Sequence, residues 1–199
     1  MRRSWFGGVL LLVLVCAQAV ACSRERFAAT LRTGDTVRVV RALKGHELHV
    51  QKQDALAKVR LVGISTFDAR LRDEREIMAY GRLAIERIMA RTGEAVPRVI
   101  LERDAPDPRG RFLAYLELEG VDLGRLLVEE GLAGVYTEFP FSREADYLAA
   151  EARAREAKRG IWGASAAGAR VLALRTTWAA TRLRAFGDRV QDPLLGGAP

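Results

Sequence analysis

In the segment Lys58-Val59-Arg60-Leu61-Val62-Gly63-Ile64-Ser65-Thr66-Phe67-Asp68, Val59, Leu61 and Ile64 supply the apolar bulk of a buried strand. The β-branched bias suits a pleated surface. Arg60 interrupts the apolar run, and a lone buried charge is costly, so it needs an exposed face or an anionic partner. Ser65-Thr66-Phe67-Asp68 then reads as a polar turn offering hydroxyls, carbonyls and one carboxylate.

Upstream of this strand, Thr36 to Leu43 is rich in β-formers, Lys44-Gly45-His46 is a tight turn, and Glu47 to Gln51 alternates as a returning strand. Glycine is free to take positive φ, which is the expectation for Gly45. A second turn at Gln53-Asp54 leads into Leu56–Ile64, which completes a three-stranded meander. Downstream, Asp73 to Thr92 reads as a helix, with Ile77, Leu83 or Met78, Ala84 and Ile88 near helical spacing and Gly93 as its stop. Gly81 inside it points to a close backbone contact or a nearby helix start. Strands follow at Pro97–Arg103 and Arg111–Leu118, separated by the turn-rich loop Asp104–Gly110. Val121–Gly131 is a short helix capped by Asp122, Tyr136–Phe141 is an aromatic loop, and Ser142 caps a helix that runs to Lys158. Gly160 stops it, and Ile161-Trp162 packs back on the body.

The ends differ in character. Arg2 and Arg3, the apolar run Trp5–Val15 and Ala19-Val20-Ala21 have the layout of a secretory signal, and the run is shorter than a spanning helix needs. Residues 1–21 are therefore expected to be removed and residues 22–34 to form a polar tether. Ala19-Val20-Ala21-Cys22 resembles a bacterial lipobox, which makes Cys22 the expected lipidation site. Ser23 after it resembles the usual pattern of outer-membrane lipoproteins, so anchoring to the outer membrane is expected. Cys16 leaves with the signal, which excludes a disulfide scaffold. An apolar content of 49% with 29% charged residues calls for a packed core and excludes a disordered chain. The formal charge is +7; loss of Arg2 and Arg3 leaves 30 basic against 25 acidic residues, a modest excess compatible with phosphate or anionic lipid. In the tail, 164–199, Arg175, Arg182 and Arg189 are seven apart and share a helical face, while Val171, Leu174 and Trp178 share another. Two readings stand: a helix packed on the domain with solvated arginines, or a basic amphipathic helix at a membrane or nucleic acid.

The order of elements implies an α+β chain with a mainly β core: a five-stranded barrel of the OB type, about three flanking helices and a further C-terminal helix. Four words, in order, then carry a resemblance: Val59-Arg60-Leu61-Val62-Gly63-Ile64, Arg109-Gly110-Arg111-Phe112-Leu113-Ala114-Tyr115, Leu127-Val128-Glu129-Glu130-Gly131-Leu132-Ala133, and Glu151 through Trp162. Over residues 35–163 the chain resembles the staphylococcal nuclease (thermonuclease-like) family. That resemblance implies calcium-assisted hydrolysis of DNA and RNA phosphodiesters, with two aspartates and a carbonyl on the metal, a glutamate near the attacking water and two arginines on the phosphate. Such an arrangement neutralises the equatorial oxygens and places a water in line.

Carried over by position, the two phosphate arginines fall on Arg60 and Arg111. The metal positions fall on His46 and Ser65, with Thr66 offering its carbonyl, and the glutamate becomes the shorter Asp68. An imidazole and a hydroxyl in place of two carboxylates suit oxygen-seeking calcium poorly, so no cofactor is expected. Gly34-Asp35-Thr36-Val37 imitates the metal turn but lies too far before Arg60, and is read as the lead-in to the first strand. His46 is expected to be a turn residue rather than a zinc ligand or a metal-free base. His49, three residues on, faces the other way. Tyr136 and Phe139 are candidates for base stacking, while Arg109 stands where the family places a second pocket tyrosine.

Three functions follow. The first is a degenerate nuclease domain that keeps the arginine pair and binds nucleic acid or another polyanion. The second is an active nuclease with a remodelled metal site. The third is an envelope scaffold that binds protein or lipid.

Overall fold

The computed structural model describes residues 27–70 and 74–190. The expected signal, Cys22, residues 23–26 of the tether, Asp73 as a helix start and residues 191–199 lie outside the described residues. Strands β1 (Arg38–Lys44), β2 (Glu47–Lys52) and β3 (Ala55–Leu61) form the antiparallel meander. After β4 (Ile64–Ser65) and α1 (Arg75–Thr92) come β5 (Arg98–Leu101) and β6 (Arg111–Leu118). β6 lies antiparallel to β5 and parallel to β3, which gives the order β1-β2-β3-β6-β5. Residues 34–37 close the sheet on itself: Val37 N–H donates to the Pro97 carbonyl (3.1 Å) and Val99 N–H to the Asp35 carbonyl (2.7 Å). Closure leaves no long free edge at that seam.

Strand alternation fills the interior. Leu48 and Val50 of β2, Val59 and Leu61 of β3, and Ala114 and Leu116 of β6 are each at most 1% exposed, and each of the leucines and valines is worth roughly 1.5–3 kcal/mol of burial. Glu47, Arg60 and Arg111 fall at the alternate positions of these strands and belong to the outer face.

A two-residue strand β7 (Val121–Asp122) precedes α2 (Leu123–Glu129). Asp122 caps α2, accepting from Gly124 N–H (2.9 Å) and Arg125 N–H (3.2 Å). After β8 (Gly134–Val135) come α3 (Glu144–Glu156), a short 3-10 turn (Gly160–Trp162) and α4 (Ser165–Val190). The chain is thus a mixed α+β protein, an OB-fold-like barrel with α1, α2 and α3 around it and a long C-terminal helix. No helix among the described residues is long and apolar enough to cross a membrane.

Several expectations change. The strand expected over Leu56–Ile64 breaks at Gly63, whose φ of +71° turns the chain. A Cβ there would fall 2.3 Å from the Phe141 ring, so glycine is required twice over. Beyond the break, β4 pairs with β8 instead. Gly45 does not take positive φ; it is needed because a Cβ would lie 2.6 Å from Ala84 and 2.8 Å from Thr66. Gly81 makes the close contact foreseen for it, since a Cβ would meet the Phe67 carbonyl at 2.7 Å. Leu83 is 45% exposed, and the buried stripe of α1 runs through Ile77, Gly81, Ala84 and Ile88. Ser142 does not cap α3: its N–H and hydroxyl both donate to Glu102 (2.9 and 2.6 Å), and Arg143 precedes the helix. Within the expected tether, Leu31 is 1% exposed in the core and Ala29 N–H donates to the Leu56 carbonyl (3.0 Å), so residues 27–34 lie on the barrel.

The tail departs most. Val171 and Trp178 are buried, and Arg175 and Arg182 belong to the same stripe, because steps of four, three and four residues track one helix face. Neither arginine is simply solvated. Arg175 bridges to the buried Glu151 (2.6 Å) and Arg182 to Glu144 (2.6 Å), both on α3. Leu174 is half-buried beside this stripe, and the side chain of Arg189 lies outside the described residues.

Candidate anion-binding cleft

The parallel pairing of β3 with β6 sets Lys58 opposite Arg111 and Arg60 opposite Leu113, so the two candidate arginines come from adjacent strands. The antiparallel β2–β3 ladder sets Glu47 opposite Arg60. Arg111 Nη1 lies 2.5 Å from Glu47 Oε1, and Arg60 Nη1 lies 3.7 Å from the same oxygen. Arg111 also donates through Nε to Asp107 Oδ2 (2.8 Å), with Nη2 at 2.7 Å. Asp107 shapes its own loop, accepting from the N–H groups of Arg109 and Arg111 at 2.9 Å each. Burial and the neighbouring charge of Arg111 lower the Arg60 pKa. Burial alone would raise the Asp107 carboxyl, but the Arg111 hydrogen bonds bring it below its ordinary value. Glu47 and Asp107 were not singled out from the sequence. A two-residue turn that pairs Lys44 with Glu47, followed by the β2–β3 register, was the signal available for Glu47.

These groups open on a cleft of about 470 Å³ whose lining includes Arg60, Arg103, Arg109 and Arg111 together with Tyr136, Phe139 and Phe141. Tyr136 packs under the Arg60 guanidinium, 5.3 Å from ring centroid to Cζ. Its hydroxyl donates to Glu138, and burial with that carboxylate pushes its pKa up to about 12, so it stays neutral. Phe139 is 51% exposed at the rim, 6.4 Å from Tyr136 between centroids. A separate hollow of about 520 Å³ between the start of α1 and α4, lined by charged residues of both signs together with Ile77 and alanines of α4, lies away from the arginine pair.

His46, Thr66 and Asp68 come together beside the arginines. His46 is 5% exposed. Its Nδ1 accepts the Thr66 N–H (3.0 Å) and lies 2.9 Å from the Thr66 hydroxyl. Burial first, then the charges of Arg60, Lys44 and Arg111, hold its pKa well below the ordinary imidazole value. The ring is therefore neutral, with its proton on Nε2. Ser65 is half-buried in β4 opposite Gly134. Asp68 is taken by Arg70, which donates from N (2.9 Å), Nε (3.0 Å) and Nη2 (3.1 Å), and Lys44 Nζ lies 3.6 Å away. The Arg70 hydrogen bonds lower its pKa to about 2. Asp35 is remote from this group: Lys52 Nζ (2.6 Å) and Arg32 N–H (2.7 Å) satisfy it at the barrel seam. His49 faces away too, against the Phe27 ring at 4.6 Å.

The staphylococcal nuclease homologue model matches residues 58–164. No curated protein matches the chain. The family is calcium-dependent in general. The donors here do not suit such a hard dication: the His46 nitrogen lone pair is occupied, Asp68 is held by cations, and three positive side chains bear on the imidazole. Among the described residues no three His, Cys, Asp or Glu side chains are grouped to hold a metal. Barrel, cleft and a match over more than half of its length make this chain a member of the staphylococcal nuclease homologue family.

Proposed function

We propose that this chain binds single-stranded nucleic acid in the Arg60–Arg111 cleft and does not cleave it with calcium. The observation that carries this reading is the His46–Thr66 lock: a buried neutral ring, its Nδ1 committed to a backbone N–H, at the place where the family puts a metal aspartate. A remodelled transition-metal site through Nδ1 of His46 meets the same lock. On the binding side, arginine offers a planar fork of donors suited to phosphate oxygens. Tyr136 and Phe139 supply ring faces at the same cleft, and stacking on aromatics tolerates any base. Outward-facing Arg103 and Arg109 make no side-chain ion pair among the described residues and add unneutralised charge at the rim. Export and a lipid anchor on Cys22 belong to the same proposal, supported by Arg2-Arg3, the apolar run and Ala19-Val20-Ala21-Cys22.

The test is fluorescence anisotropy with a labelled single-stranded oligonucleotide. Arg60→Ala with Arg111→Ala is expected to weaken binding by more than about a hundredfold and to flatten its salt dependence. Binding unchanged in this double variant would move the contact elsewhere on the chain and refute the assignment of the cleft.

A further inference from the structure

The strand register carries one row of the outer face well beyond the arginine pair. Arg41 of β1 lies opposite His49 of β2, His49 opposite Lys58 of β3, and Lys58 opposite Arg111 of β6. Residues directly opposite one another share a face of the sheet, so these four form one line across four strands. Three strand spacings make the line about 14 Å long. Their chain neighbours Leu48, Val50, Ala57 and Val59 are buried, which puts the row on the outside. Arg41 is exposed and Lys58 half-buried, and among the described residues neither has a carboxylate within ion-pair distance. Glu47, the one acidic residue of β1, β2 and β3, is already held by Arg111 and Arg60. An aromatic ring lies beside the row: Phe27 is 40% exposed, its centroid 4.6 Å from that of His49 and 5.1 Å from Lys58 Nζ. A parallel bridge from Phe27 to Leu56, and the bond from Ala29 N–H to the Leu56 carbonyl, hold it against β3.

We propose that a single strand seated in the cleft continues across the barrel along Lys58, Phe27 and Arg41, which form a second binding surface reaching β1. The inference rests on the reading of the cleft as the nucleic-acid site. Unneutralised cations beside an exposed ring are what a single strand needs, charge for its backbone and a face for a base. Continuity decides the occupant. The row ends on Arg111, which lines the cleft, so one polyanion spans both surfaces. Val40 and Leu43 of β1 are 39% and 37% exposed, so the same region is also tested against an anionic lipid surface.

The experiment measures binding of the full chain to a labelled thymidine dinucleotide and to labelled decathymidine across a salt series. The dinucleotide has a single phosphodiester and cannot reach from Arg111 to Arg41. The unaltered protein is expected to bind decathymidine with a log–log salt slope steeper by at least about 1.4, the share of two further phosphate contacts on a single strand. Arg41→Gln with Lys58→Gln is expected to take about 1.4 off the decathymidine slope. Its affinity for decathymidine should fall more than about tenfold, and for the dinucleotide less than about threefold. Phe27→Leu, which keeps apolar bulk without a ring to stack on, is expected to weaken decathymidine about fivefold and leave the slope alone. Equal slopes for the two lengths in the unaltered protein overturn the proposal. So does a double variant, shown to be folded by a thermal melt, that keeps its full affinity for decathymidine; if the variant is unfolded, the slopes of the unaltered protein decide. Phosphatidylglycerol vesicles are the third ligand. A double variant that loses vesicle binding while keeping decathymidine assigns the face to a lipid surface and overturns the proposal as well. Failure of the cleft reading looks different, since Arg60→Ala with Arg111→Ala then leaves the binding of both lengths intact. Loss of both lengths in that variant, with equal slopes in the unaltered protein, removes the second surface alone.

Discussion

His46 accepts the Thr66 N–H through Nδ1, and burial together with Arg60, Lys44 and Arg111 keeps the ring uncharged in the folded chain. In the unfolded chain the same ring titrates near its ordinary pKa of about 6.5. Below that pH the unfolded state binds a proton that the native state refuses, so stability falls as the pH drops. The slope approaches about 1.4 kcal/mol per pH unit for one such group. Urea melts between about pH 7.5 and pH 5 are expected to show this loss in the unaltered chain, and a much flatter profile in His46→Asn, whose amide oxygen can accept the same N–H. A flat profile in the unaltered chain would mean that the ring is not buried neutral. The sequence placed His46 in the turn and Arg60 and Arg111 on two strands, the third and the fifth. It did not reveal that Glu47 lies between the arginines, because that follows from cross-strand register rather than from residue type.

At the scale of elements, α4 runs along the segment that forms one wall of the cleft, one contact for each of four consecutive residues. Val171 abuts Gly134, where a Cβ would fall 2.6 Å from it. Arg175 donates to the Val135 carbonyl (3.2 Å), the Trp178 ring meets the Tyr136 ring edge to face (4.8 Å), and Arg182 donates to the Thr137 carbonyl (3.2 Å). All four lie beyond the family match, which ends at residue 164. The helix therefore supports the placement of Tyr136, and Glu151 is the deepest point of that support. It is 2% exposed, accepts from Val135 N–H (2.9 Å) and pairs with Arg175. Arg175→Met would strand its charge and is expected to cost about 3–5 kcal/mol in urea melts. Adding Glu151→Gln should recover about 2 kcal/mol or more, since the amide oxygen still accepts the Val135 N–H. A cost under about 1 kcal/mol for Arg175→Met would show the pair to be incidental. The seven-residue arginine spacing was visible in the sequence, but the partners Glu144 and Glu151 sit on α3 and could not be joined to it without the fold. For the same reason Ser142, a plausible cap by type, serves Glu102 and Tyr115 instead.

For the whole molecule, the strand order is what gathers the cleft. Glu47 on β2, Arg60 on β3 and Arg111 on β6 come from separate parts of the chain and meet because these three strands are neighbours on the barrel. The meander, α1 and the later strands were legible in the sequence because apolar periodicity and turn residues agree there. The breaks and short strands were not: β4, β7 and β8 are two residues each, too short for any period to register, and Gly63 turns the chain inside an apolar run. The same barrel sets three cations around His46, so the field beside this ring opposes a dication. The most direct measurement is cleavage of labelled single-stranded DNA and RNA by the full chain with calcium and with chelator, beside binding by the same sample. The expected result is binding that depends on Arg60 and Arg111, with no calcium-dependent cutting. Calcium-dependent cutting that disappears in Arg60→Ala would contradict the account, because it would require a working metal site beside His46.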